Sequence, residues 1–168
     1  MHAMVLSIIG QDKPGLVDDV AKAVANAQGN WLKSSFCQLG GHFAGFVEIM
    51  LPKDQHDKLV NDCKALSSLQ ITLIPAHDFI PQACDKYIIK VTGNDRQGIV
   101  RDITGALKSF DVNIVELDTL CESAPNWGSP LFSASITVEL QDGMDAEKLR
   151  DAIENIADDL MVDLQQVS

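Results

Sequence analysis

Two short stretches hold the residues best placed to do chemistry: Asp12-Lys13-Pro14-Gly15 and Asp95-Arg96-Gln97-Gly98. Each follows an apolar run and precedes a run with helical periodicity. The Asp is expected at the helix start, its carboxylate accepting a bond from a free backbone N–H of the first turn, a contact worth about 1 kcal/mol. Pro14 has no N–H to lose and a φ suited to a first turn. Gly15 and Gly98 let the chain bend sharply and let another group come close. Unpaired amides at the positive end of a helix form a seat for a small anion. A carboxylate suits it. An amino acid fits if an acceptor such as Asn30 or Asn113, each at the head of the following strand, faces its ammonium group. The same four residues also make an ordinary strand-to-helix junction. Neither GxxxxGK[ST] nor GxGxxG is present, so a phosphate or dinucleotide loop is not expected.

No other cluster rivals these corners. His2, His42, His56 and His77 have no regular spacing. His56 and Cys63 share a helix face, but a metal wants three or four ligands, so no metal site is expected. Cys37, Cys63, Cys84 and Cys121 form no CxxC, and Cys37 and Cys121 lie in apolar strands as small core residues. Asp18–Asp19 and Asp158–Asp159 are helix neighbours pointing about 100° apart, so they do not face one another as an acid–base pair. Trp127 sits in the polar loop Ser123–Pro130, either folded over its own domain or marking a contact surface. No nucleophile–base pair, metal set or cofactor loop emerges; no catalytic residue and no cofactor is expected.

The charge balance restricts partners. The chain has 24 acidic and 13 basic residues, a formal charge of −11. No window is a basic stripe, which argues against direct nucleic-acid binding and against an anionic membrane surface. The apolar start Val5–Ile9 is too short for a signal peptide and nothing resembles a membrane span, so a cytoplasmic protein with reduced thiols is expected.

The corner occurs twice because the chain repeats. Shifted by 83 positions, Val5–Asn30 matches Ile88–Asn113 with seven identities: Gly10/Gly93, Asp12/Asp95, Gly15/Gly98, Val17/Val100, Asp19/Asp102, Ala23/Ala106 and Asn30/Asn113. A shared apolar period alone would not fix Gly, Asp and Asn at matching places. Each copy begins with a β-branched strand, VLSIIG or YIIKVTG. After the corner comes a helix, with Val17, Val20, Val24 and Ala27 on its apolar face in the first copy and Ile99, Ile103, Ala106 and Phe110 in the second. Gly29 is expected to take the left-handed position that ends the first helix. Two strands, a second helix (about Gln55–Leu66 and Ala146–Asp158) and a last strand complete each copy. The order is βαββαβ, twice. The expected class is α+β: two ferredoxin-like domains, each a four-stranded antiparallel sheet with two helices on one face. Pro75–Lys86 reads as a linker, with domains at 1–80 and 81–168 and the boundary near Pro81. The uncovered faces are expected to carry Phe43, Phe46 and Ile49, or Leu131 and Ile136, too many apolar groups for two helices to bury. That predicts either packing of the two sheets of one chain on each other or sheet edges side by side, and a homo-oligomer.

A βαββαβ repeat with D-[KR]-x-G-[ILV]-V at the first strand–helix junction resembles the ACT domain, a small-molecule sensing module. Two such units without a catalytic domain are similar to the glycine cleavage system transcriptional repressor family, a likeness also carried by Leu39–Pro52 and Thr119–Leu140. The resemblance implies a non-enzymatic regulator that senses a small amino acid, glycine first, and acts on a DNA-binding transcription regulator by protein contact. It also implies ligand contacts at Asp12, Gly15, Leu16 and Asn30 in the first half, and at Asn94, Asp95, Gly98, Ile99 and Asn113 in the second. The alternative role is a free-standing ACT regulatory subunit of an amino-acid or one-carbon metabolic enzyme.

Overall fold

A computed structural model describes residues 1–77, 84–123, 128–141 and 143–167. The chain divides into two compact units, Met1–Phe79 and Ile80–Ser168. The boundary expected near Pro81 and the loop residue Trp127 lie outside the described residues.

The first unit runs β1 (His2–Gln11), α1 (Leu16–Asn26), β2 (Asn30–Leu39), β3 (His42–Leu51), a 3-10 turn (Lys53–Gln55), α2 (His56–Ala65) and β4 (Leu69–Pro75). Its antiparallel sheet has the order β2-β3-β1-β4. The second unit runs β5 (Cys84–Asn94), α3 (Ile99–Ser109), β6 (Asn113–Glu122), β7 (Leu131–Gln141), α4 (Ala146–Glu154) and β8 (Met161–Val167), with the order β6-β7-β5-β8. This is the expected α+β architecture, twice. The segment read as a linker is partly strand: β4 continues to Pro75 and β5 begins at Cys84.

Alternation explains why these strands form one-sided sheets. In β1 every second residue, Met4, Leu6 and Ile8, is buried under the helices with Val47, Ile49 and Leu51 of β3. The helix α1 turns Leu16, Val20, Ala23 and Val24 inward, spaced by three and four. Val17, expected on that face, is 41% exposed; Leu16 takes its place one position earlier. α3 repeats the pattern with Ile99, Ile103 and Leu107.

The helix stop differs from expectation. The left-handed residue after α1 is Gln28, at φ 56°, and its repeat partner Asp111 follows α3 at φ 54°. Gly29 serves instead as a close approach: a Cβ there would lie 2.9 Å from Val24 Cγ1.

The uncovered sheet face is also corrected. Ile49 and Ile136 are fully buried in the two cores and Phe43 packs against the first, whereas Phe46 and Leu131 are exposed. Strand side chains alternate, so residues three or five apart, such as Phe46 and Ile49 or Leu131 and Ile136, must lie on opposite faces.

Candidate functional site

The site is built where β1 hands over to α1, and again where β5 hands over to α3. The strand exit is tight. A Cβ on Gly10 would sit 2.3 Å from the Ser68 carbonyl oxygen, and one on Gly93 would sit 2.6 Å from Leu160 Cδ2. These glycines let the strand pass directly against the turn that precedes β4 or β8. The chain then reverses through Gly15, at φ 93°, and Gly98, at φ 82°. Both lie in the left-handed region where a side chain is strained.

Those two glycines, not the aspartates, are the N-caps, and no side chain caps either helix. Asp12 and Asp95 stand three residues ahead of the N-cap, too early to reach the first turn. Each is instead turned toward the neighbouring strand. Asp12 accepts a bond from Gln38 Nε2 at 2.5 Å, and its own N–H donates to Gly41 O at 3.1 Å. The Asp95 N–H donates to Pro130 O at 2.7 Å. Its carboxylate meets the Cys121 thiol, which partial desolvation and this contact raise above the usual cysteine value. Gln38 and Cys121 are themselves 83 positions apart. Sequence reading passed over Gln38 and took Cys121, like Cys37, for a small core residue, whereas both cysteines are exposed; the repeat offset is what links Gln38 to Cys121. Pro14 lies in the turn before α1, outside the first helical turn expected for it.

With Gly at the cap, the opening amides of the helix have no side-chain partner. An α-helix leaves its first N–H groups unpaired, here those of Leu16, Val17 and Asp18. In the second copy the Ile99 N–H bends back to Arg96 O at 3.3 Å. The side chains of Leu16 and Ile99 are buried in the cores, so these residues offer a ligand only their backbone.

The two corners differ in charge. Around Gly15 a Cβ would meet nothing within 4 Å, so the first corner is open. At the second, Arg101 Nη2 lies 3.3 Å from the equivalent point. Arg96 and Arg101 both reach Asp102 at 2.8 Å, and hydrogen bonds from Arg96 first, then Arg101, hold its carboxyl below the usual carboxylate range.

The register separates the expected partners. Asn30 pairs with Met50, which pairs with Ala3 near the start of β1. The corner lies at the other end of the sheet, where Gln11 and Leu39 both pair with His42. Asn113 pairs with Glu139 opposite Lys86, again far from Asn94, which pairs with Leu131. Within one unit, therefore, the corner and the strand-head asparagine cannot touch the same small molecule.

Asn94 has a structural contact of its own. Its N–H donates to Asp159 Oδ2 at 3.0 Å, a bond that holds the Asp159 carboxyl below its usual range. A carboxyl whose folded value is lowered stabilises the fold fully above its unfolded value. That contribution disappears as pH falls through the ordinary range near 4 toward the lowered folded value. Asp159→Ala is therefore expected to melt below wild type at pH 7, with the gap narrowing as pH falls below about 4 in thermal scans.

Other reactive groups are muted. Burial pushes the Cys63 thiol up to about 11. Among the described residues no group of three or more His, Cys, Asp or Glu is arranged to hold a metal. No helix among them is long and apolar enough to cross a membrane. A groove of about 410 Å³, lined by Val17, Ala21, Trp31 and Ser34, runs between α1 and β2, and sequence reading did not anticipate it.

A family model for the ACT domain matches residues 2–73 and 86–120. A crystal structure of an unknown protein from Galdieria sulphuraria is 29% identical, with 99% of each chain covered and a TM-score of 0.88. A crystal structure described as a "putative glycine cleavage system transcriptional repressor" is 17% identical, covering 99% of this chain and 98% of that one, with a TM-score of 0.73. A search of curated proteins found no match.

Proposed function

Since this chain belongs to the ACT domain family, we propose that it is a non-enzymatic regulator that senses a small amino acid at its strand-to-helix corners. Glycine is the first candidate ligand, and the output is contact with a DNA-binding regulator of glycine cleavage genes. The observation that carries this reading is the corner itself: a helix opened by a left-handed glycine, its first amides uncapped, built at equivalent places in both units. A ligand carboxylate accepts bonds from those amides and gains from the positive helix end. Asp12 or Asp95 stands beside the seat as a counter-charge for the ammonium group. Leu16 and Ile99 contribute backbone only. Asn30 and Asn113 stand too far along the sheet to reach a ligand at the corner of their own unit.

Charge supports an indirect role in transcription, since a chain at −11 with no window of clustered Lys and Arg is poorly suited to neutralise phosphates. The choice of glycine and of transcription leans on the fold shared with the structure described as a glycine cleavage repressor. Isothermal titration against a panel of amino acids tests the sensing step. Saturable heat is expected from glycine or another small amino acid; silence from the whole panel removes sensing from the account. Retention of a metabolic enzyme rather than a DNA-binding protein in a pull-down would redirect the output.

A further inference from the structure

Given the sensing role, on which this rests, we propose that Gln38 is a positioning residue for the first corner: it orients the Asp12 carboxylate for the ammonium group of a bound amino acid, and so makes that corner select amino acids over other small carboxylates. The sheet explains how so distant a residue reaches Asp12. The strand order β2-β3-β1 puts β3 between Gln38 and the corner. At this end of the sheet Gln11, His42 and Leu39 stand side by side across the three strands. Asp12, one residue past Gln11, leaves the ladder and crosses the end of β3. Its N–H donates to Gly41 O at 3.1 Å, in the turn between β2 and β3, and its carboxylate accepts from Gln38 Nε2 at 2.5 Å. Backbone and side chain are thus held by separate groups, which gives the carboxylate one orientation. The amide of Gln38 bonds Oδ2 alone, and Oδ1 keeps its capacity to accept. An amide is also neutral, so it orients Asp12 without cancelling its charge. Among the described residues no Lys or Arg pairs with Asp12.

The second unit repeats the backbone and changes the chemistry. Asn94, Leu131 and Glu122 stand side by side across β5, β7 and β6. Asp95 crosses the end of β7 as Asp12 crosses β3, and its N–H donates to Pro130 O at 2.7 Å. The place of Gln38 is taken by Cys121, whose thiol is a weak donor. Arg101 Nη2 stands 3.3 Å from the point where a Cβ on Gly98 would lie, whereas nothing stands within 4 Å of the equivalent point at Gly15. A guanidinium attracts any carboxylate, whatever the rest of the ligand carries. The second corner therefore has more to hold a carboxylate and less to fix its aspartate. Selection for the ammonium group falls to the first corner, and Gln38 is the residue that separates the two.

Amide shifts of the labelled full chain test this, with glycine titrated beside glycolate and alanine beside lactate. Each hydroxy acid keeps the carboxylate and puts a hydroxyl where the ammonium was. At Leu16, Val17 and Asp18 the amino acid is expected to bind at least about tenfold more tightly than its hydroxy acid, the worth of one hydrogen bond to a charged group. Gln38→Ala is expected to bring that ratio close to one by weakening the amino acid alone. Gln38→Cys, which copies the second unit, is expected to fall between, and Cys121→Gln to raise the ratio at Val100 and Arg101. A tie that only held the corner's shape would weaken both ligands together. Wild-type corners that bind both members of a pair equally, or a Gln38→Ala chain that is folded and keeps the wild-type ratio or loses both ligands alike, overturn the proposal and leave the sensing role standing. Wild-type amides that respond to none of the four compounds remove the proposal and small-amino-acid sensing together.

Discussion

Gly10→Ala is expected to destabilise the first unit by about 3 kcal/mol, more than Gly15→Ala, which is expected to cost about 1–2 kcal/mol. Both glycines recur in the repeat, but for different physical reasons. At Gly10 the backbone is extended and the obstacle is space. A Cβ would lie 2.3 Å from the Ser68 carbonyl oxygen and 2.8 Å from Leu69 Cδ2, so the turn entering β4 must move. At Gly15 there is nothing to hit within 4 Å; the cost is the left-handed backbone at φ 93°. Denaturant melts of the two variants separate the causes. If Gly15→Ala proves the more damaging, the tight strand exit is not what fixes the first glycine. Gly15→Ala should also keep its packing intact, making it the cleaner variant for binding experiments.

A second large effect falls in the other unit. Ile136→Ala is expected to cost about 2–5 kcal/mol, whereas Leu131→Ala on the same strand is expected to cost less than about 1 kcal/mol. Ile136 is fully buried among Ile89, Val91, Ile103 and Leu149, while Leu131 is 42% exposed. A unit of this size holds only a few kcal/mol in reserve, so the first substitution brings it close to unfolding. Because the chain has two units, a single melt need not be two-state. Amide exchange at Ile89 and Val91 reads the second unit alone. Equal protection in both variants would contradict the assignment of Ile136 to the core.

Much of this molecule was legible before its structure. The βαββαβ order follows from runs of period two alternating with runs of period three to four, and the doubling follows from seven matched identities. What misled was local. An aspartate before a helix suggests a cap, yet which residue is the cap depends on where the chain turns, and that turn is made by Gly15 and Gly98. Gly29 suggested a left-handed stop, but the stop is Gln28, because the neighbouring backbone position needed the missing Cβ for Val24. Val17 and Leu16 are adjacent apolar residues, and only the phase of the whole helix decides between them. Asn30 and Asn113 follow the corners in sequence yet sit a full strand length away, since α1 and α3 carry the chain back along the sheet before the next strand starts. The grouping of Phe46 with Ile49 ignored the two-residue period that the same strand displays.

The central claim is that the first amides of α1 and α3 receive a ligand carboxylate, and amide chemical shifts read those groups directly. With an isotopically labelled chain titrated with glycine and then other small amino acids, the account predicts saturable shifts at Leu16, Val17 and Asp18, at Val100 and Arg101, or at both sets. Those shifts should weaken in Gly15→Ala for the first corner. If no amino acid moves either set while the spectrum stays that of a folded protein, or if binding shifts only residues remote from both corners, the sensing site is not where the repeated glycines place it.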